Sequence, residues 1–348
     1  MLSIYNALEI NNIKSSSVFG SLNVIDSCID YGSVCEAKLI PNHYKRGMRT
    51  WWTRRSQGVF DKDCNHVEAL SDIRSERRIW WPNEETHLAL SEAKFEHYDQ
   101  AFYGGTIYDH FGHFLLDSLS RLYPILNEVR SSNSPILFHY PLDSLDRENV
   151  LNGYVGDFFA LLGLAHEKIV FIDKPLLVSK LYYHEATFSD ANFVSDSIKS
   201  SYPCLSQKNK TAKRGFISKS KLQSGTGFTS QGEEIDEIFG SLGFDVIYPE
   251  SIPLQEQIDI VQSYDVLIGF PSSFFHLKLF CKEGAKLIIM FPEIEEFLHT
   301  NFLNIDVGAE FYDSYIPLAA EPVDAPLGFA KGFKLELSQV YEIARLFC

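Results

Sequence analysis

Two histidines and an aspartate stand at i, i+3 and i+7 in His110-Phe-Gly-His113-Phe-Leu-Leu-Asp117. On a helix, His113 and Asp117 lie four residues apart and can touch, and a carboxylate beside an imidazole raises its basicity and fixes its tautomer. Such a pair can take the proton of a hydroxyl as that oxygen attacks an electrophilic carbon. Two other roles fit the same spacing. His113 can pad the helix start while Asp117 bonds the preceding loop, or His110, His113 and Asp117 can hold a metal, for which no further ligand is evident in the sequence.

A second constellation runs from Ser263 to His276. A strand ending at Gly269, a turn with Pro271, Ser272 and Ser273, and a helix beginning there would turn backbone N–H groups and two hydroxyls toward an anion such as a diphosphate. Serine is also an ordinary N-cap, which explains the same residues without a ligand. Lys219 and Lys221 follow the strand Arg214-Gly-Phe-Ile-Ser218, close enough in a parallel sheet to reach the same phosphate, or simply to sit in solvent. Glu233 and Glu234 suit a helix start through the dipole, and a carboxylate there can also hold ribose hydroxyls. Glu293, Glu295 and Glu296 read as a solvated loop.

These groups need elements to position them. At about 100° per residue, Leu115, Leu119, Leu122 and Leu126 form one stripe of a helix over 110–129, with His110, His113, Asp117 and Ser120 opposite. The run Tyr103-Gly-Gly-Thr106 before it reads as flexible. Strand 135–140, helix 147–163 and short strands at 168–172 and 180–184 follow. After a polar stretch the alternation resumes: strand 214–218, helix 231–241, strand 244–248, helix 254–263, strand 266–269, helix 273–282 and strand 285–291. Alternating strands and helices are the pattern of α/β layers with parallel sheets, in which ligands bind beyond the carboxyl ends of the strands. The division expected is an α/β domain over 1–190, a linker over 191–212 and a Rossmann-like domain over 213–348, with the last helix, 337–347, packing back on the first domain. The first hundred residues, including Lys45 to Arg55, read only as short strands and loops, with Gln57 to Asn65 as a strand running into a turn.

The chain has 348 residues, 45% of them hydrophobic and 14% aromatic, enough for a dry core. A net charge of -15 argues against broad attachment to nucleic acid or anionic lipid, which needs a basic face. No apolar run approaches the roughly 20 residues that cross a bilayer, and the start lacks a signal-like layout, so a cytoplasmic protein is expected. Six scattered cysteines without CxxC spacing read as reduced thiols. Asp61-Lys-Asp63 has a metal-clamp spacing but falls in an expected turn.

Gly104-Gly105 followed by His110-Phe-Gly-His-Phe-Leu-Leu-Asp-Ser-Leu-Ser-Arg-Leu122 resembles the signature of glycosyltransferase family 61. Phe216-Ile-Ser-Lys219, Gly232-Glu-Glu-Ile235, Gly243-Phe-Asp-Val-Ile-Tyr-Pro249, Gln255-Glu-Gln-Ile258 and Asp265-Val-Leu-Ile-Gly269 are similar to the later blocks of that family, in the same order. The resemblance implies a GT-B-like fold, two Rossmann-like domains facing a central cleft. It implies an inverting glycosyltransferase of hexosyl or pentosyl type, acting in bacterial capsule or lipopolysaccharide synthesis. The donor would be a nucleotide-sugar, UDP-sugar first, and the acceptor a glycan or lipid-linked glycan. No metal or other cofactor is expected, and the inner face of the membrane is a natural place for such an enzyme. Carried over by position, Asp117 and His113 become the catalytic candidates, with His110 and Arg121 in support. Lys219, Ser272, Ser273, His276, Gly269 and Glu233 become the donor-side candidates. Two departures stand out: Lys219 replaces an arginine, losing its bidentate fork, and Phe270-Pro-Ser-Ser-Phe274 replaces a glycine-rich turn, hindering close backbone approach. A nucleotide-sugar epimerase and a catalytically silent glycan-binding or scaffolding module are the alternatives.

Overall fold

The computed structural model describes residues 2–12, 18–26, 31–41, 58–74, 77–78, 84–108, 110–140, 147–294 and 296–348. Of the sequence expectations, the 45–55 cluster, Gln57 and Glu295 lie outside the described residues. The protein is a mixed α/β molecule that divides into two compact units, one of Ile25–Pro203 and one of Met1–Val24 with Cys204–Cys348.

The Ile25–Pro203 unit is built on a six-stranded sheet. Its strands are β1 (Tyr31–Ile40), β2 (Gly58–Phe60), β3 (Glu96–Thr106), β4 (Ile136–His139), β5 (Ile169–Phe171) and β6 (Leu176–His184), in the order β2-β1-β6-β3-β4-β5. β6, β3, β4 and β5 run parallel, while β1 and β2 add an antiparallel flank. β3 is one of the strands that the sequence expectations did not isolate. Its Gly-Gly pair lies within the strand: a Cβ on Gly104 would collide with the Phe138 ring of β4, and Gly105 takes φ +98 where the register with β4 shifts. Glycine is required at both places, once by close packing and once by backbone conformation.

The expected helix over 110–129 is composite. One α-turn, Phe111–His113, passes into a π-helical turn, Phe114–Ser118, then a 3-10 turn, Tyr123–Ile125, and a short α-helix, Leu126–Ser131. Its leucine stripe is buried as the wheel requires, Leu115, Leu119 and Leu122 fully so. Phe114 is buried as well, edge-on to Phe158 and Phe159 of the helix Tyr154–Leu161. Beyond β6, a small hairpin of β7 (Phe188–Ser189) and β8 (Phe193–Ser195) and a helical turn, Ile198–Ser201, occupy much of the stretch expected as linker. Its polar composition reflects turn and cap hydrogen bonds, such as Ser195 Oγ accepting from the Ser197 N–H, rather than an unstructured tether.

The second unit contains a fully parallel five-stranded sheet. It also carries β10 (Gly225–Thr229), β15 (Ala320–Val323) and β16 (Phe329–Leu335) in a separate three-stranded sheet, β10-β16-β15. The parallel sheet comprises β9 (Arg214–Ile217), β11 (Asp245–Ile247), β12 (Val266–Gly269), β13 (Lys286–Pro292) and β14 (Ser314–Leu318), ordered β11-β9-β12-β13-β14. In order of appearance within the sheet this is 2-1-3-4-5, so the connections part between β9 and β12, the switch point where ligands of such sheets bind. Helices α1 (Gly232–Ser241) and α2 (Leu254–Ser263) follow the expected bounds closely, whereas the expected helix over 273–282 is 3-10, Ser273–Phe280.

Both chain ends differ from the expected division. Tyr5 exchanges two backbone hydrogen bonds with Tyr315 of β14, and Asn23 N–H donates to the Asn304 side chain at 2.8 Å, which bring the first 24 residues into this unit. The last helix, α3 (Leu337–Leu346), packs on α1 of its own unit, where the Phe347 carbonyl accepts from Arg214.

Candidate active site

His113 closes the single α-turn and Asp117 stands in the π-helical turn, a local widening that often marks functional positions. The spacing places their side chains in contact: His113 Nδ1 lies 2.9 Å from Asp117 Oδ2, both half-buried. With the Nδ1 proton donated to the carboxylate, the lone pair of the neutral ring sits on Nε2. Asp117 Oδ1 accepts the Asp190 N–H at 2.9 Å, from the turn between β7 and β8. Neighbouring Ala191 is held at φ +49, a left-handed conformation that costs roughly 1–2 kcal/mol for a residue with a Cβ. His110 is the exposed N-cap residue of the α-turn, its ring 4.8 Å from that of His113.

Asp190 is a functional candidate that the sequence expectations missed. Ligand atoms of His113, Asp117 and Asp190 all lie within 4.8 Å of one another, a donor set able to hold a cation, with Asp190 rather than His110 as the third member. Nothing local marks Asp190, which is 73 residues from Asp117 and meets it only through the hairpin.

Asp117 also lines a cavity of about 360 Å³ inside the Ile25–Pro203 unit, within the range of small-molecule sites. Arg121, one turn on, lies in its wall but is 4% exposed. Its Nη1 donates to the carbonyls of Ala69 and His184 and its Nη2 to that of Ser71, so the guanidinium holds the 69–71 loop to the end of β6. A Cβ built on Gly105 would meet the Cδ of the Arg121 stem at 3.4 Å. Tyr108, just beyond β3, donates its N–H to Ser118 Oγ at 2.9 Å and its hydroxyl to Asp72 at 3.3 Å.

In the second unit, Lys219 follows β9 and its ammonium donates to the Pro271 carbonyl, 3.2 Å away in the turn after β12. The switch point therefore brings together the two segments that sequence reading joined only by analogy with parallel sheets. Burial pushes the Lys219 pKa down to about 8. Ser272 caps the 3-10 helix, its Oγ accepting from Phe274 N–H at 3.3 Å, which is the plain-cap role. Ser273 is half-buried at the first helical position. His276 is buried against the Phe302 ring, 4.7 Å between centroids. Gly269 lies tight against Ile217 and Phe275, where a Cβ would come within 3.0 Å of both. Glu233 points from the exposed first turn of α1.

A cavity of about 30 Å³, room for a water or so, lies beside Lys219. Ser218, Lys219, Ser220, Thr229 and Asp236 supply its polar wall, while Ser272, Ser273, His276 and Glu233 fall outside it. Asp236, one turn past Glu233, accepts from Ser220 Oγ at 2.7 Å and from Tyr248 OH at 3.0 Å, and its buried Oδ1 has no hydrogen-bond partner. The carboxylate at this helix start with an acceptor to offer is thus Asp236. Its position three residues past Glu233, one helical turn inward, was the available signal.

Asp61, of the Asp61-Lys-Asp63 pair, organises a turn: its Oδ1 accepts from the N–H groups of Asp63 and Asn65, and its Oδ2 from the Asn65 amide.

The family model described as Glycosyltransferase 61 matches residues 111–288, just over half of the chain. That stretch begins beside His110 and ends in β13, so it takes in the His113–Asp117 pair and the switch point. No curated protein matches the chain.

Proposed function

Because the chain belongs to the glycosyltransferase 61 family, we propose that it transfers a sugar from a nucleotide donor to a glycan hydroxyl with inversion, using the His113–Asp117 pair as base. The observation that carries this reading is the 2.9 Å contact between His113 and Asp117 beside a 360 Å³ cavity that Asp117 lines. In one in-line displacement the acceptor oxygen attacks the anomeric carbon, its proton passes to the pair, and the bond to the nucleoside diphosphate breaks. Asp117 reaches the cavity. His113, held through Nδ1, stabilises the carboxylate and can take the proton on Nε2.

On the donor side, Lys219 and the turn holding Ser272 neutralise the departing diphosphate, and Asp236 joins them as a contact for ribose or sugar hydroxyls. The two units are, in this proposal, the acceptor and donor halves of a GT-B enzyme working without a metal. A UDP-sugar is the first donor to test, with a surface polysaccharide or its lipid-linked precursor as acceptor, on the cytoplasmic side of a bacterial membrane.

The experiment is product analysis with labelled UDP-, GDP- and CMP-sugars and glycan acceptors, repeated with Asp117→Asn and His113→Ala. Transfer that survives unchanged in both variants removes this pair from the chemistry. One observation favours a second reading, glycan binding without transfer: the cavity beside Lys219 holds little more than a water. Titration with UDP, GDP and CMP separates the two, since a silent module would bind none of them.

A further inference from the structure

The cavity beside Asp117 has a one-sided chemistry. Among the described residues its charged lining is Asp26, Glu68, Asp72, Asp117 and Glu185 against the single cation Arg121. That cation is already engaged, since its two terminal nitrogens donate to three backbone carbonyls. The lining hydroxyls have partners as well: Tyr108 OH donates to Asp72, Ser189 Oγ donates to the Ile73 carbonyl at 2.6 Å, and Ser71 Oγ lies 3.4 Å from His66 Nε2. Among the described residues, the side chains around this space therefore offer more acceptors than donors. A ligand that supplies hydrogen-bond donors is matched to such a wall, and one that carries a carboxylate or phosphate meets like charge.

We propose that this cavity is the acceptor subsite and that it selects a sugar unit bearing no negative charge, favouring one with a free amine. The proposal rests on the reading of Asp117 as the base that faces the acceptor. An ammonium on the sugar is attracted by the surrounding carboxylates, a neutral sugar donates its hydroxyls to them, and a uronic acid or sugar phosphate is repelled. Tyr108 and Phe193 in the same wall supply apolar faces for the ring.

The test is calorimetric titration of the full chain, without donor, with methyl glucosaminide, methyl glucoside and methyl glucuronide at low and high salt. The expected order of affinity is amine, then neutral, then acid, with at least about a tenfold gap between the two extremes that narrows as salt rises. In an Asp72→Asn, Glu185→Gln double variant the advantage of the amine falls and the glucuronide gains. Equal or tighter binding of the glucuronide by the unaltered chain overturns the proposal, as does binding of none of the three. An unchanged gap between the amine and the glucuronide in the double variant overturns the assignment to this cavity. Transfer measured in Asp117→Asn judges the base reading separately, because binding without donor requires no chemistry.

Discussion

Asp117 is held by two donors that come from different directions, the His113 ring and the Asp190 N–H. Removing its charge while keeping its shape tests the base without dismantling the turn. Asp117→Asn is expected to lower kcat by about 10²- to 10⁴-fold with little change in acceptor KM. His113→Ala is expected to cost less if the proton goes to Asp117 directly and as much if it ends on Nε2. Lys219 provides a second residue-scale prediction. Burial lowers its pKa to about 8, and a bound diphosphate would raise it again, so binding is linked to protonation. Nucleoside diphosphate affinity should be flat between about pH 7 and 8, once the terminal phosphate is fully ionised, and fall by up to about tenfold per pH unit above it. Lys219→Arg, which stays charged, should remove that slope. A UDP titration across pH reads both variants.

At the scale of elements, the sequence located the helices and most strands of the matched region because their apolar residues repeat at the period of the element. α2 and β12 were legible to the residue, with Ile258 and Val261 facing the core and Leu267 and Ile268 buried in the sheet. β3 was not, because its outer half, Glu96 to Gln100, is polar and its inner half holds two glycines, features that locally read as a loop. Only the neighbours explain them. Gly104→Ala should drive a methyl into the Phe138 ring and cost about 1–3 kcal/mol, seen as a lower midpoint in thermal or urea unfolding. Combination with Phe138→Leu should recover part of it, because the space is taken from one known side chain. The helix carrying His113 was legible as an amphipathic segment. Its π-turn was not, because the wheel assumes one period throughout.

At the scale of the whole molecule, long-range contacts bury charges that no local pattern forecasts. Lys278 and Asp313 form a buried pair at 2.5 Å, and Asp313 donates its N–H to Asp306 Oδ1 at 2.9 Å. Burial, and then the Asp313 charge, push the Asp306 pKa up to about 7. A carboxyl that binds its proton more tightly when folded favours the folded state at low pH. This contribution is lost as pH rises from the ordinary carboxylate range through about 7. Asp306→Asn, which keeps an acceptor for the Asp313 N–H and removes the charge, should be more stable than the parent at pH 8 and lose this slope. Denaturant midpoints measured at several pH values between 4 and 8 check it.

The sequence by itself determined the α/β alternation, the contact of His113 with Asp117 and the family, because each is written in short spacings that survive without knowledge of the rest. Tertiary structure decided what those groups face. It set Asp190 beside Asp117 across 73 residues, turned Arg121 onto three carbonyls, joined Lys219 to the Pro271 turn and drew the first 24 residues into the C-terminal unit. The reason is physical: a helix or strand is specified by neighbours a few residues away, whereas hydrogen-bond partners and burial are assigned by strand order and packing between segments far apart in the chain.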